Sequence, residues 1–267
     1  MSATVPGPEA HTAAILERLR GSPLILLLDV DGTLAPIAPR PEDAAVPPET
    51  RAVLAALVAL PDTHVALVSG RAAADALRLV GIPALAAAGN HGFELITPGG
   101  GTRAHPAAAP YHAALAGAVS DLRAALQHIP GAIVEDKALT ISVHYRLVDA
   151  AHANTVRTTV EQIAAARGLH AGGGKLIVEL RPPVDVHKGT AVLALVEELG
   201  SGAPDASILF AGDDVTDEDA FEHLRAHHPQ AVTVHVGDRV ETAAEFRVPT
   251  AVAFRELLAA VHRSRSG

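Results

Sequence analysis

Short apolar runs alternate along this chain with longer stretches in which apolar residues recur every three to four positions. Leu24–Leu28 is apolar throughout, the pattern of a strand buried on both faces, and a glycine-containing turn follows at once. Pro47-Pro48-Glu49 opens a helix running to Leu60, with Val53, Leu54, Leu57 and Leu60 along one face. His64–Val68 predicts the next strand, Arg71–Val80 a helix, Ala84–Ala88 a third strand and Gly92–Ile96 a further one. Strand and helix in alternation predict an α/β fold, a doubly wound parallel sheet covered by helices.

The pattern changes at Tyr111. A helix to His128 leads into Ala132–Glu135 and Leu139–Tyr145, separated by a turn at Asp136-Lys137. A second helix, Asp149 to Arg167, leads to a turn at Gly172-Gly173-Gly174 and the strand Lys175–Leu180. This order predicts an antiparallel α+β module. After Pro182-Pro183 the first pattern resumes: a helix from His187 to Leu199, strand Ser207–Ala211, helix Thr216–Ala226, strand Ala231–Val236 and a terminal helix from Phe254. The expected organisation is an α/β core of residues 1–108 and 185–267, interrupted by an inserted domain of residues 109–184.

Composition narrows the function. Hydrophobic residues make up 49% of the 267, ample for a folded core. The formal charge of −9 argues against nucleic-acid binding, which needs a basic face; five Phe, two Tyr and no Trp leave little for base stacking. The absence of Cys excludes disulfides, thiolate zinc sites and a cysteine nucleophile. The first twenty residues lack the basic stretch and apolar run of a signal peptide. The longest strongly apolar run, residues 23–28, falls far short of the ~20 residues a membrane span requires. A cytoplasmic protein with no membrane or nucleic-acid partner is expected. The 15 His are scattered, with no ligand-spaced set.

Four signals lie at strand ends, where ligands bind in open α/β sheets. In Asp29-Val30-Asp31-Gly32-Thr33, two carboxylates at i and i+2 share a side of extended backbone. Such a pair can divide labour, Asp29 as nucleophile or metal ligand and Asp31 as proton donor; a turn cluster is the plainer alternative. A calcium loop fails on spacing, since Gly falls at position 4 and Arg40 at position 12 counted from Asp29. Val68-Ser69-Gly70-Arg71 offers a phosphate cradle, or an ordinary helix N-cap. Lys188, at a helix start, opposes the helix dipole unless it neutralises an anion. Residues 213–219 carry five acids; helix capping accounts for Asp217 or Glu218, whereas Asp213 and Asp214 call for a hard cation such as Mg²⁺.

Taken in order, these motifs resemble the haloacid dehalogenase-like phosphohydrolases. The resemblance implies that Asp29 attacks phosphorus and Asp31 transfers protons. It implies that Ser69 and Lys188 hold the phosphoryl oxygens with Gly32, Thr33, Gly70 and Arg71 around them, and that Asp29, Asp31, Asp213 and Asp214 hold Mg²⁺.

Further strings resemble the trehalose-6-phosphate phosphatase family: Asp29 to Ile37, Gly89 to Glu94, Glu135 to Lys137, His144 to Arg146, Gly174 to Pro182 and Gly212 to Phe221. That likeness implies trehalose 6-phosphate as substrate and the inserted domain as a cap. Glu135, Lys137, Arg146, Lys175 and Glu179 are then the ligands of the disaccharide, with His91 and Glu94 on the core loop facing it. Lys175 and Glu179, at i and i+4 of the expected strand, share a face; the plainer alternative is surface ion pairing. Val30 departs from the family, which more often places an aromatic there. Another capped sugar phosphatase, a phosphosugar mutase and a catalytically silent sugar-phosphate sensor are the rival readings.

Overall fold

Strand β1 (Leu24–Leu28) is buried at every position. Leu24, Leu26 and Leu28 share a cluster with Leu54, Leu57, Phe254 and Leu258, while Ile25 and Leu27 share another with Val192, Leu195, Phe210, Phe221 and Leu224. Successive side chains of a strand point to opposite faces, so an unbroken apolar run suits a central strand between two helical layers. Each fully buried leucine stabilises the fold by roughly 1.5–3 kcal/mol relative to exposure.

The computed structural model describes residues 8–99, 101–174, 176–200 and 203–267. They divide into two units, Met1–Thr102 with Val186–Gly267, and Arg103–Asp185. The chain begins with α1 (Pro8–Arg18), β1, α2 (Pro48–Val58), β2 (Thr63–Val68), α3 (Ala73–Val80), β3 (Ala86–Gly89), β4 (Glu94–Thr97) and β5 (Gly101–Ala104). The second unit follows with α4 (His112–Leu126), β6 (Ile133–Asp136), β7 (Ile141–His144), α5 (Ala150–Ala166), β8 (His170–Gly174) and β9 (Ile177–Arg181). The return adds α6 (Lys188–Gly200), β10 (Ser207–Gly212), α7 (Val215–His227), β11 (Val232–Val236), β12 (Phe246–Val248) and α8 (Ala251–Ser266).

The large sheet has the order β12-β11-β10-β1-β2-β3-β4-β5, parallel from β12 to β3 and antiparallel between β3 and β4. α1, α2, α3 and α8 contribute to the cluster on one face, α6 and α7 to that on the other. The chain leaves β1 toward β2 on one side and returns through β10 on the other. This makes the carboxyl end of β1 a topological switch point, the place where such sheets bind ligands. In the second unit the sheet order is β6-β7-β9-β8. Its Ile141, Val143, Val178 and Leu180 pack with Leu115 and Leu122 of α4 and Val156 and Val160 of α5. Among the described residues no helix is long and apolar enough to cross a membrane.

Several elements depart from their expected bounds. Gly172-Gly173-Gly174 is not a turn but the end of β8, paired with β9 so that Gly172 opposes Glu179 and Gly173 opposes Val178. Glycines leave no side-chain alternation to read, and the reversal comes later, at Leu176 with φ of 65°. The strand expected from Lys175 begins at Ile177. α3 starts at Ala73 rather than Arg71, and α8 starts at Ala251, capped by the Thr250 hydroxyl, which accepts from Ala253 N. Ala84, at φ 67°, delays β3 to Ala86. α1, β5 and β12 had no counterpart in the apolar pattern.

A Cβ on Gly173 meets nothing within 4 Å. Gly173→Thr is therefore expected to stabilise the protein by about 0.5–1 kcal/mol through strand propensity and a less flexible unfolded chain. Urea denaturation of the two proteins reads this; a loss of stability would show that the glycine is structurally required.

Candidate active site

The ladder between β1 and β10 runs one residue past β1, because Asp29 N donates to Ala211 O at 2.9 Å. That bond sets Asp29 beside the end of β10 while Val30 turns into the apolar cluster. A tight turn follows, in which Leu34 N and Ala35 N donate to Val30 O at 3.0 and 2.8 Å and Gly32 N donates to Ala35 O at 2.7 Å. Gly32 has a φ of 95°, and a Cβ there would stand 2.1 Å from Asp213 Oδ2. Conformation and close approach both demand glycine. Thr33 is fully buried and, among the described residues, its Oγ1 has no hydrogen-bond partner.

Lys188, the first residue of α6, reaches into this edge. Its Nζ donates to Asp29 Oδ1 and Asp217 Oδ1, each at 2.7 Å, with all three side chains buried. Burial alone would push the lysine down. The charges of Asp217 and Asp29 and their hydrogen bonds outweigh it and hold the ammonium above the ordinary lysine range. Asp29 is raised well above the usual carboxylate range, first by burial and then by the nearby Asp217 and Asp213, against the pull of Lys188. Burial and Asp217 push Asp213 up to about 7, with Lys188 opposing and Asp214 and Asp31 adding to the rise.

One ammonium thus faces several carboxylates, and the imbalance defines what the site can hold. Oxygens of Asp29, Asp213 and Asp217 lie within 4.8 Å of one another. Asp213 Oδ1 is buried with no hydrogen-bond partner among the described residues. A hard cation with oxygen ligands fits this set. Of the four carboxylates expected to hold a metal, Asp29 and Asp213 converge here. Asp31 is instead gripped by Arg71, whose Nε and Nη2 donate to its two oxygens at 2.6 and 2.8 Å. Asp214 caps α7, its Oδ1 accepting from Val215 N at 2.7 Å. Asp217 takes the third place.

From the sequence alone, Asp217 is accounted for as a helix-start acid. It does cap, since its Oδ2 accepts from Asp213 N and Asp214 N at 3.0 Å, but its other oxygen holds Lys188. A Cβ on Gly212 would lie 2.2 Å from Asp217 Cγ, so that glycine admits the carboxylate. Five acids at and around one helix start, two of them in its first turn, exceed what capping needs, and that surplus is the available signal.

Ser69, Gly70 and Arg71 follow β2. Ser69 is buried and is not the N-cap of α3, a position held by Ala72; its Oγ accepts from Arg71 N at 3.1 Å. Arg71 also donates to Pro41 O, at 3.2 and 3.1 Å, tying the loop after β1 to Asp31. A Cβ on Gly70 would lie 2.6 Å from His91 Nε2, so the glycine seats the imidazole. Glu94 Oε1 accepts from Ala73 N at 2.5 Å and from Asn90 Nδ2 at 3.0 Å, which satisfies the start of α3 and braces the loop bearing His91.

In the second unit, Glu135, Ser142 and Glu179 oppose one another across β6, β7 and β9, on the face opposite the apolar one. Lys137 Nζ donates to Glu179 Oε1 at 2.7 Å, with side-chain exposures of only 6% and 15%. This is an enclosed pair rather than a surface one. His144 Nε2 donates to Glu135 Oε2 at 2.7 Å. Arg146 is half-buried just beyond β7, and Lys175 lies outside the described residues.

A doubly wound sheet carrying a buried Asp–Lys–Asp triad, a hydroxyl and an acidic cluster at its switch point has the fold and site architecture of the haloacid dehalogenase class. Residues 27–251 match the trehalose-phosphatase family model, and the chain belongs to that family. It is 37% identical over 228 residues to a trehalose-phosphate phosphatase of Mycobacterium bovis, covering 82% of this chain and 56% of that protein. It is also 37% identical over 250 residues to an uncharacterized glycosyl hydrolase of Mycobacterium tuberculosis, covering 92% of this chain and 19% of that one. The chain therefore spans only part of these curated relatives. A solved trehalose-6-phosphate phosphatase related protein is similar at 28% identity with a TM-score of 0.77, covering 90% of this chain and 97% of that one.

Because folding raises Asp213 from 3.8 to about 7, the folded state retains a proton that the unfolded state releases between those values. The resulting stability is present at low pH and lost as pH rises through about 7. In chelator, Asp213→Asn is therefore expected to match wild type near pH 4 and to exceed it by about 5 °C in Tm at pH 8. Thermal denaturation across that range checks it; a difference that stays constant with pH would contradict the assignment.

Proposed function

We propose that this chain hydrolyses trehalose 6-phosphate to trehalose and phosphate through a phosphorylated Asp29. The observation that carries the reading is the buried Lys188 shared by Asp29 and Asp217 beside the unpartnered oxygen of Asp213. Phosphoryl transfer is chiefly positioning and charge neutralisation, and this edge is built for both.

Asp29 acts as a carboxylate nucleophile. Its oxygen bonds to phosphorus as the bond from phosphorus to the sugar oxygen breaks, and protonated Asp31 delivers its proton to that oxygen. Asp31, now ionised, takes a proton from water as the water attacks the aspartyl-phosphate, which releases phosphate and restores Asp29. The paired donors of Arg71 fit the ionised Asp31 from which this second half starts. Lys188 Nζ and the hydroxyls of Ser69 and Thr33 receive the phosphoryl oxygens. Asp29, Asp213 and Asp217 would hold Mg²⁺, whose positive charge would let a carboxylate approach a phosphate.

The second unit supplies sugar recognition. A neutral disaccharide is read by directed donors and acceptors. Glu135, Lys137 and Glu179 are fixed in place by their own pairing, and Arg146 and Lys175 complete the set. The names of the relatives support the substrate.

Asp29→Asn is expected to lower phosphate release from trehalose 6-phosphate at least ~10³-fold with the fold intact, as expected for loss of a covalent nucleophile. Retained activity would overturn the mechanism. Glu179→Ala is expected to raise KM for trehalose 6-phosphate about tenfold while p-nitrophenyl phosphate turnover stays within about threefold, as for a group that binds only the sugar. Equal losses on both esters would remove the second unit from sugar recognition.

A further inference from the structure

The Asp29–Lys188–Asp217 arrangement depends on where α6 begins. A helix start leaves backbone N–H groups without intrahelical partners, and Ser, Thr, Asp or Asn ordinarily covers them. Here the preceding residue is His187, and its imidazole takes that part. Gly189 N donates to His187 Nδ1 at 3.1 Å, so that nitrogen carries no proton. The arrangement is reciprocal: His187 N donates to Thr190 Oγ1 at 3.2 Å, and that hydroxyl donates back to His187 O at 2.9 Å. Ala191 N donates to the same carbonyl at 3.1 Å.

The ring is also braced from α7, the helix that carries Asp217. His187 and His223 meet edge to face with centroids 4.6 Å apart, and His223 Nδ1 donates to Asp219 O at 2.8 Å. A Cβ on Gly189 would stand 2.7 Å from His187 Cε1 and 2.6 Å from His223 Nδ1. Glycine is thus the residue that lets both rings close on the helix start. Lys188 has a long flexible stem, so its reach to two carboxylates, one just past β1 and one on α7, is only as well defined as its backbone.

We infer that His187 is a positioning residue: an imidazole N-cap that fixes the first turn of α6 and, through it, the placing of Lys188 between Asp29 and Asp217. This rests on the reading of Lys188 as part of the phosphoryl site. Its signature is a dependence on cap chemistry, not on the ring.

Two variants test it. His187→Asn keeps a cap acceptor, and His187→Leu keeps bulk without one. Relative to wild type, the Leu variant is expected to lose about tenfold in kcat on both trehalose 6-phosphate and p-nitrophenyl phosphate, with KM within about twofold, while Asn stays within about twofold in kcat; this scale follows from typical cap losses. Amide hydrogen exchange gives a readout free of turnover: Gly189 N–H exchanges faster in Leu than in wild type or Asn. Wild-type kcat and Gly189 protection in a folded Leu variant would overturn the inference, as would equal impairment of Asn and Leu. A Leu variant that does not fold is replaced by His187→Ala, with the same expectations. If wild type releases no phosphate from either ester, the proposed function fails, and Gly189 exchange alone decides the cap: equal protection in all variants overturns it.

Discussion

The buried ammonium of Lys188 is the interaction on which the core is arranged. Removing charges from water costs several kcal/mol per ion, and the cost is recovered only where geometry and additional hydrogen bonds are good. Two contacts of 2.7 Å, to Asp29 and Asp217, meet that condition. They draw three elements together, since the lysine begins α6, Asp29 directly follows β1 and Asp217 sits in the first turn of α7. The glycines at 32, 189 and 212 then have a common explanation, because each stands where a Cβ would strike a group of this centre or its support. The pairing remains incomplete in charge, and burial, reinforced by that surplus of carboxylates, raises Asp29 and Asp213. Such a centre is suited to a cation and an anion arriving together.

The second unit uses charge differently. Lys137–Glu179 and His144–Glu135 are local pairs on one face of a small sheet whose other face is apolar. Each pair restricts groups that would otherwise be free to rotate. Under the proposed function, pre-set donors and acceptors suit a polyol of defined stereochemistry. The two units differ in local environment: buried, unbalanced charge in the first and oriented polar pairs in the second.

Much of this was legible in the chain. Leu24–Leu28 announced a central strand because uniform burial demands uniform apolarity, Asp29 and Asp213 stood out as charges just past such runs, and Lys188 as a cation at a helix start. Asp217 was not separable from an ordinary helix-start acid, because the helix dipole already accounts for one. His187 was hidden for a related reason: histidine is not a usual cap, and only the folded turn brings Nδ1 to Gly189 N. The Gly172–Gly174 strand was misread because pairing, not side-chain pattern, defines it. The Arg71–Asp31 grip joins residues forty apart in sequence, a contact that spacing does not reveal.

The most direct test of the central claim is to quench turnover of trehalose 6-phosphate with acid and locate the phosphoryl group by mass spectrometry. The account predicts the added phosphoryl mass on the peptide containing Asp29, at Asp29 itself, and its loss in Asp29→Asn. A phosphoryl group on another residue, or steady turnover with no phosphorylated protein under conditions that preserve acyl phosphates, would contradict it.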